Sequence, residues 1–353
     1  MPAAGAREAV ARVSELGGRV VHVDLARGWR GGQAQLRALV AAAPPLAVVV
    51  ARDGPLHRAL LGDGVRVVPL PVAGRWTPGG ASALQRALDA LAGEGSAVVA
   101  AHDGHAAALC DRVRLRAPLV VHRRVDFAPS RAGYARYRRA ARVVAVSEAV
   151  ARVLGRGGVR RVVVVHDGVE PGPVAEAAPD RAGVRAALGL GPEAPLVLAL
   201  GALVPHKGHR VLIEAMPLLP GVAVAVLGEG PLRGPLLARA RRRGVADRLH
   251  LVGFRGDRAR WLRSADAFAH PSLEEGLGQA VIEAHVAGLP VVASRAGGVP
   301  ELGIGALLPP GDPVALAVAL RAALAEGIGP PRSTAFTVSR MAARTLEAYA
   351  GAR

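Results

Sequence analysis

Lysine is almost missing from this sequence: Lys207 is the only one among 45 basic residues in a chain of 353. Cysteine is equally scarce, with Cys110 alone, which excludes a disulfide framework and any thiolate zinc site. Aromatic residues make up 3% of the chain, too few for a platform on which nucleic-acid bases stack. No run approaches the roughly 18 uncharged apolar residues of a membrane span. Residues 1–18 carry charges throughout, unlike a secretory leader. The expectation is therefore a cytoplasmic protein without a spanning helix.

What is present is apolar material and positive charge. Hydrophobic residues reach 51% against 21% charged, enough for sizeable cores, and the length suits two domains. Against the basic residues stand 28 acidic ones, for a formal charge of +17. Such a balance suits anionic partners: nucleic acid, an acidic membrane face or phosphorylated substrates. The plainer explanation is a codon bias that places arginine over the whole surface. With so few aromatic residues, no nucleic-acid partner is expected. A cationic helix face over 132–141 would suit acidic lipid headgroups, and it reads equally as a solvated face.

Short β-branched runs alternate with longer amphipathic segments, the pattern of βαβ units and a parallel sheet covered on both faces. Strands are expected at 20–25, 46–51, 65–69, 97–101, 119–122, 143–147 and 161–166. The alternation pauses in a Pro-, Ala- and Gly-rich stretch at 169–193, which reads as a linker. It resumes with strands at 196–202, 222–227, 249–253, 267–271, 291–294 and 306–308. The division expected is an N-terminal domain over 1–168, a linker over 169–193 and a C-terminal domain over 194–337. The fold class is α/β, two Rossmann-like domains with a cleft between them.

Ligands in such sheets bind where strand ends lead into helix starts. Four of these turns are glycine-rich. The first holds Gly31 and Gly32 before a helix, where backbone N–H groups can approach a phosphate. The second runs from Gly201 to Gly208 and carries Lys207, whose compact charge suits a diphosphate. In an arginine-rich chain, a surface lysine placed there by chance is the weaker reading. The third is Pro271-Ser272-Leu273-Glu274-Glu275-Gly276-Leu277-Gly278, followed by a helix bearing Glu283. Its helix start offers free N–H groups to phosphate oxygens. Glu275 and Glu283 need not meet each other, and could accept hydroxyl hydrogen bonds from two parts of one long ligand. The fourth is Gly297-Gly298-Val299-Pro300-Glu301. His102 and His105 lack a third ligand at metal-binding spacing, so no metal site is expected.

The last three turns, with Gly228-Glu229-Gly230-Pro231 and the Glu275/Glu283 spacing, resemble the C-terminal domain of the retaining family-4 glycosyltransferases of GT-B architecture. The first half resembles the acceptor domain more loosely, through Gly31-Gly32, Val144-Ala145-Val146-Ser147 and His166-Asp167-Gly168-Val169. The resemblance implies a metal-independent hexosyltransferase that takes a nucleotide-diphosphate sugar as co-substrate and needs no other cofactor. It implies that Lys207 binds the donor diphosphate, with Gly201 at the same turn. Glu275, with the backbone of Gly276, Leu277 and Gly278, would hold the transferred sugar, and Glu283 the ribose. Phe254 and Arg255 would lie along the base, and Glu301 would support the sugar–phosphate turn. His122 would face the cleft, orienting hydroxyls or carrying a proton. A terminal helix over 338–349 would pack back on the first domain. Ala202 stands where many relatives have arginine. A sugar-nucleotide 2-epimerase of the same architecture and a non-catalytic nucleic-acid-binding protein are the alternatives.

Overall fold

The computed structural model describes residues 16, 18–71 and 77–352. The chain divides into two compact units. One contains the described residues up to Gly168 together with the terminal helix Val338–Ala350, and the other is Val169–Thr337.

The first unit is built on seven parallel strands: β1 (Val20–Asp24), β2 (Ala47–Ala51), β3 (Val67–Leu70), β4 (Val98–Ala101), β5 (Leu119–Arg123), β6 (Arg142–Ala145) and β7 (Val162–Val164). They lie in the order β3-β2-β1-β4-β5-β6-β7. Nearly continuous apolar runs such as AVVVA in β2 are buried from end to end, because helices cover both faces of a parallel sheet. Between β1 and β4 the winding reverses, and loops that follow neighbouring strands there diverge to leave room for a ligand. The terminal helix belongs to this core. Val338, Met341 and Tyr349 are buried with Val20, Leu39 and Val120.

The second unit repeats the topology with six parallel strands: β8 (Leu196–Leu200), β9 (Ala223–Leu227), β10 (Leu249–Gly253), β11 (Ala267–His270), β12 (Val291–Ser294) and β13 (Ala306–Leu308). Their order is β10-β9-β8-β11-β12-β13, with the reversal between β8 and β11. Each unit is therefore a Rossmann-like domain.

The stretch expected as a linker, 169–193, carries two short helices, Pro171–Ala175 and Arg181–Ala187, and belongs to the second unit. Its anchor is Arg185, fully buried, which donates to the Ala194 carbonyl at 2.9 Å, the Ser264 carbonyl at 3.0 Å and Asp266 at 2.6 Å. Composition hides this because the partners come from distant sequence. Among the described residues no helix is long and apolar enough to cross a membrane.

Candidate functional site

In the second unit, two glycines force distant motifs into contact. After β8 the chain turns at Gly201. A Cβ on Gly228 would fall 2.0 Å from the Gly201 carbonyl oxygen, so the Gly228–Pro231 turn presses directly on the end of β8. One 3-10 turn, Pro205–Lys207, follows and closes at Gly208, whose φ is +65°. A Cβ on Gly208 would fall 1.9 Å from the Pro271 carbonyl oxygen. Only glycine allows this approach, which sets the Lys207 turn against the loop after β11. The Leu273 N–H donates to the His206 carbonyl at 2.7 Å and fastens the two.

The result joins Lys207 to Glu275, 68 positions along the chain. Lys207 Nζ lies 2.6 Å from Glu275 Oε2, and the two side chains are 21% and 13% exposed. Two further groups converge on the same oxygen: His270 Nε2 at 2.9 Å and Ser272 Oγ at 3.3 Å. Burial alone would raise the Glu275 carboxyl. The His270 hydrogen bond and the Lys207 charge overcome it and hold the group far below the usual carboxylate range.

Glu283 has different surroundings. It sits on the helix Gln279–Val286 and accepts from Arg258 at 3.0 Å. Burial raises its carboxyl, and the Arg258 charge only partly counters that. The two glutamates thus have separate cationic partners.

The remaining expected positions surround this pair. Gly276, Leu277 and Gly278 are buried, and Gly278 caps the helix that carries Glu283. The Glu275 carbonyl accepts the Gly298 N–H at 3.2 Å, which ties the Glu301 turn to the same loop. Glu301 lies half-buried in the 3-10 turn Val299–Leu302. At the end of β10, Phe254 is 66% exposed. Arg255 is paired with Asp257 at 2.8 Å and lies over the Trp261 ring, 5.6 Å from its centroid. His209, next to the Lys207 turn, is buried with neither ring nitrogen in hydrogen-bonding geometry. Burial lowers its pKa to about 4.

The first unit holds the other candidates. The helix after β1 starts at Gly31, with Gly31 exposed and Gly32 half-buried. Gln33, in its first turn, accepts the Arg30 N–H at 3.2 Å and donates to Asp24 at 2.9 Å. Burial, followed by the charge of Asp103, pushes the Asp24 carboxyl up to about 7. Arg124 stands beside this helix start and pairs with Asp167 at 3.0 Å.

His122, expected to face a cleft, is instead 5% exposed. Its Nε2 lies 2.7 Å from the Tyr349 hydroxyl and its ring stacks on His102 at 4.1 Å. His102 in turn lies 2.8 Å from His22. Burial lowers the pKa of all three imidazoles, that of His22 to about 3. His122 is thus a packed ring under the terminal helix, and its nitrogen is occupied. His105 approaches the Leu25 carbonyl at 3.3 Å, apart from the His102 pairing. On the helix Arg131–Arg139, Arg139 is neutralised by Asp111 at 2.6 Å. Sequence reasoning missed His270, Arg258, Gln33 and Tyr349. His270, just before Pro271, and Gln33, just after Gly32, were placed closely enough to motifs to be found.

Residues 20–172 match the family described as "Glycosyltransferase Family 4", and residues 194–326 match "Glycosyl transferases group 1". The lipopolysaccharide core biosynthesis glycosyltransferase LpsE of Rhizobium meliloti (strain 1021) is 38% identical over 114 residues, covering 32% of this chain and 34% of that protein. The D-inositol 3-phosphate glycosyltransferase of Mycobacterium sp. (strain KMS) is 39% identical over 153 residues, covering 40% of this chain and 33% of that one. The chain thus spans about a third of the length of the curated relatives it matches. Among solved structures, Anabaena Alr3699/HepE in complex with UDP-glucose superposes with a TM-score of 0.75 at 22% identity, covering 94% of each chain. That likeness gives the fold: two Rossmann-like domains of GT-B type. With one family match in each half and the motif carboxylates gathered at one sheet's strand ends, the chain belongs to the family-4 glycosyltransferases.

Proposed function

We propose that this chain is a retaining glycosyltransferase that moves a hexose-type sugar from a nucleotide-diphosphate donor to an acceptor. The carrying observation is the Lys207–Glu275 pair at the switch point of the second sheet, beside the buried Gly278 helix start. One cation and a set of free backbone N–H groups suit an anionic diphosphate, and a buried carboxylate beside them suits sugar hydroxyls. Glu283, one to two turns along the same helix, takes the ribose hydroxyls. The exposed Phe254 and the Val252–Arg255 backbone lie along the base. Glu301 supports the turn between sugar and phosphate. On this reading the second unit binds the donor and the first, with its terminal helix, is the acceptor domain.

In the chemical step the sugar–oxygen bond breaks while the acceptor oxygen bonds to the same face of the sugar carbon and passes its proton to the departing phosphate oxygen. Negative charge then grows on the departing diphosphate. Lys207 and the Gly278 helix start stabilise it, and no carboxylate nucleophile is required. A donor spanning Lys207 and Glu275 meets a cation with its charged part and a carboxylate with its hydroxyl-rich part once it has drawn the two apart. Charge compensation comes from the chain itself, so the reaction proceeds without a metal or other cofactor. The names of the relatives point to a lipid-linked or cell-surface glycan, or a small metabolite, as acceptor. Arginines on the first unit would let the protein work at the inner, acidic face of a membrane from the cytoplasm.

Thermal shift against UDP-, GDP- and ADP-sugars tests the donor. A ligand at about 100 times its Kd adds roughly 2.7 kcal/mol of stability. NMR of the product should give a linkage with the donor's anomeric configuration. An inverted product would end the retaining assignment, and a free epimerised sugar nucleotide would replace transfer with epimerisation. EDTA should leave turnover unchanged.

A further inference from the structure

Three donors crowd one oxygen of Glu275, and they differ in how firmly they are held. Lys207 projects from a single 3-10 turn at the surface, with 21% of its side chain exposed. His270 ends β11, an interior strand bonded to β8 on one side and β12 on the other. Its ring is buried and stacks near-parallel on Phe268, the residue two back on the same face of the strand. A carboxylate only accepts hydrogen bonds, so the His270 Nε2 facing it carries the hydrogen. Ser272 Oγ lies 3.2 Å from the same nitrogen and 3.3 Å from the carboxylate, so the three groups close a triangle.

The Lys207–Glu275 contact has a consequence for the donor reading, on which this inference rests. Lys207 cannot give its full charge to a diphosphate while it is bound at 2.6 Å to a carboxylate. An arriving diphosphate must draw the ammonium away, and a largely buried carboxylate that gives up this cation is left costly unless other donors remain. We propose that His270 is a positioning residue that holds the Glu275 carboxylate in place while Lys207 transfers from it to the donor diphosphate. Donor binding then opens the lysine–glutamate pair, and His270 with Ser272 stabilises the carboxylate as it opens. This role differs from binding: His270 acts through Glu275 on how readily phosphate captures the lysine.

The test uses the full chain and whichever of UDP, GDP and ADP binds it most tightly, measured by calorimetry without sugar or acceptor. His270→Phe keeps ring volume and stacking on Phe268 but removes the N–H. It should weaken nucleotide binding about tenfold, because Glu275 then retains Lys207 more firmly. His270→Gln, which restores an amide N–H, should recover affinity to within about threefold. Glu275→Gln removes the charge that competes for the lysine and should not weaken nucleotide binding. In the Glu275→Gln background, His270→Phe should have no effect on affinity, whereas a merely structural histidine would cost the same in both backgrounds. Equal affinity of wild type and His270→Phe, or an undiminished loss in the double variant, overturns the inference while leaving the donor site standing. If none of the three nucleotides binds the wild-type chain, the donor site itself fails and the inference falls with it. Melting temperatures of all variants within a few degrees exclude misfolding as the cause of either outcome.

Discussion

The molecule contains two histidine-bearing clusters that burial treats in opposite ways. In the second unit His270 faces a carboxylate and a lysine, and the cluster remains partly open to solvent. In the first unit His22, His102 and His122 face one another and the Tyr349 hydroxyl, closed beneath a helix. Burial, and after it the like charge of Arg124, which approaches His102 Nδ1 at 3.5 Å, keeps the rings neutral. The same residue type therefore serves a charged, ligand-accessible site in one domain and a dry joint in the other. What decides the outcome is the partner: a carboxylate makes histidine a donor in an ionic site, and its absence makes histidine an apolar plate with polar edges.

The strongest way to sharpen this contrast is Lys207→Ala. Removing the only lysine should cost about 10²–10³ in kcat/KM, equivalent to roughly 3–4 kcal/mol, because the charge acts most on the departing diphosphate. Lys207→Arg should recover part of that, and the melting temperature should hold in both. Near-normal turnover in Lys207→Ala with an authentic donor and acceptor would remove the lysine from the mechanism. Glu283→Gln should weaken free nucleotide about 10–100-fold, the range of one hydrogen bond to a charged group at roughly 1.5–3 kcal/mol. Glu275→Gln should spare nucleotide and lower sugar transfer instead. Equal loss of nucleotide affinity in the two would erase the distinction between them.

Acid should break the first cluster before the second. The folded pKa of each of its three histidines lies below the unfolded value of about 6.5. The stability they carry is present above that pH and is lost as pH falls toward the folded values. For His22, lowered to about 3, the loss between pH 7 and 5 is about 2 kcal/mol. Asp24, raised to about 7, acts in the opposite sense over the same window and offsets one ring. His102 and His122, lowered in the same direction by burial, remain, so the first unit is left with a net loss of stability as pH falls. The second unit's strongest case is His209, lowered to about 4. Amide hydrogen exchange at pH 7.5 and 5 should show the first unit losing more protection, and parity between units would contradict it. The smallest effect expected is Tyr349→Phe. It leaves His122 Nε2 without its partner at a cost of about 1–2 kcal/mol, read in a urea midpoint, with nucleotide binding unchanged.

How much of this was legible follows the range of the interactions. The strands were visible because buried parallel strands are local apolar runs, as in the AVVVA of β2. The donor-side motifs were visible because their glycines are required by backbone approach, and Gly208 against Pro271 shows why the pattern tolerates nothing larger. Residues 169–193 misled because Arg185 and Asp266 are 81 positions apart and neither has a local signature. His122 misled for the same reason: its partner Tyr349 lies 227 residues away, on a helix whose own pattern says only that one face is apolar. His270 went unremarked because it sits at the end of a strand, where a buried polar residue gives no periodic signal of its partner.

The terminal helix sets a timetable for synthesis. Every element of the second unit lies in one continuous stretch, so it can fold as soon as residue 337 has left the ribosome. The first unit is made first and finished last. Its sheet is complete by Val164, yet Met341 and Tyr349, which cover that sheet and its three imidazoles, arrive nearly two hundred residues later. Through that interval the nascent first unit presents an uncapped apolar surface, and the ribosome carries the more complete domain downstream of the less complete one.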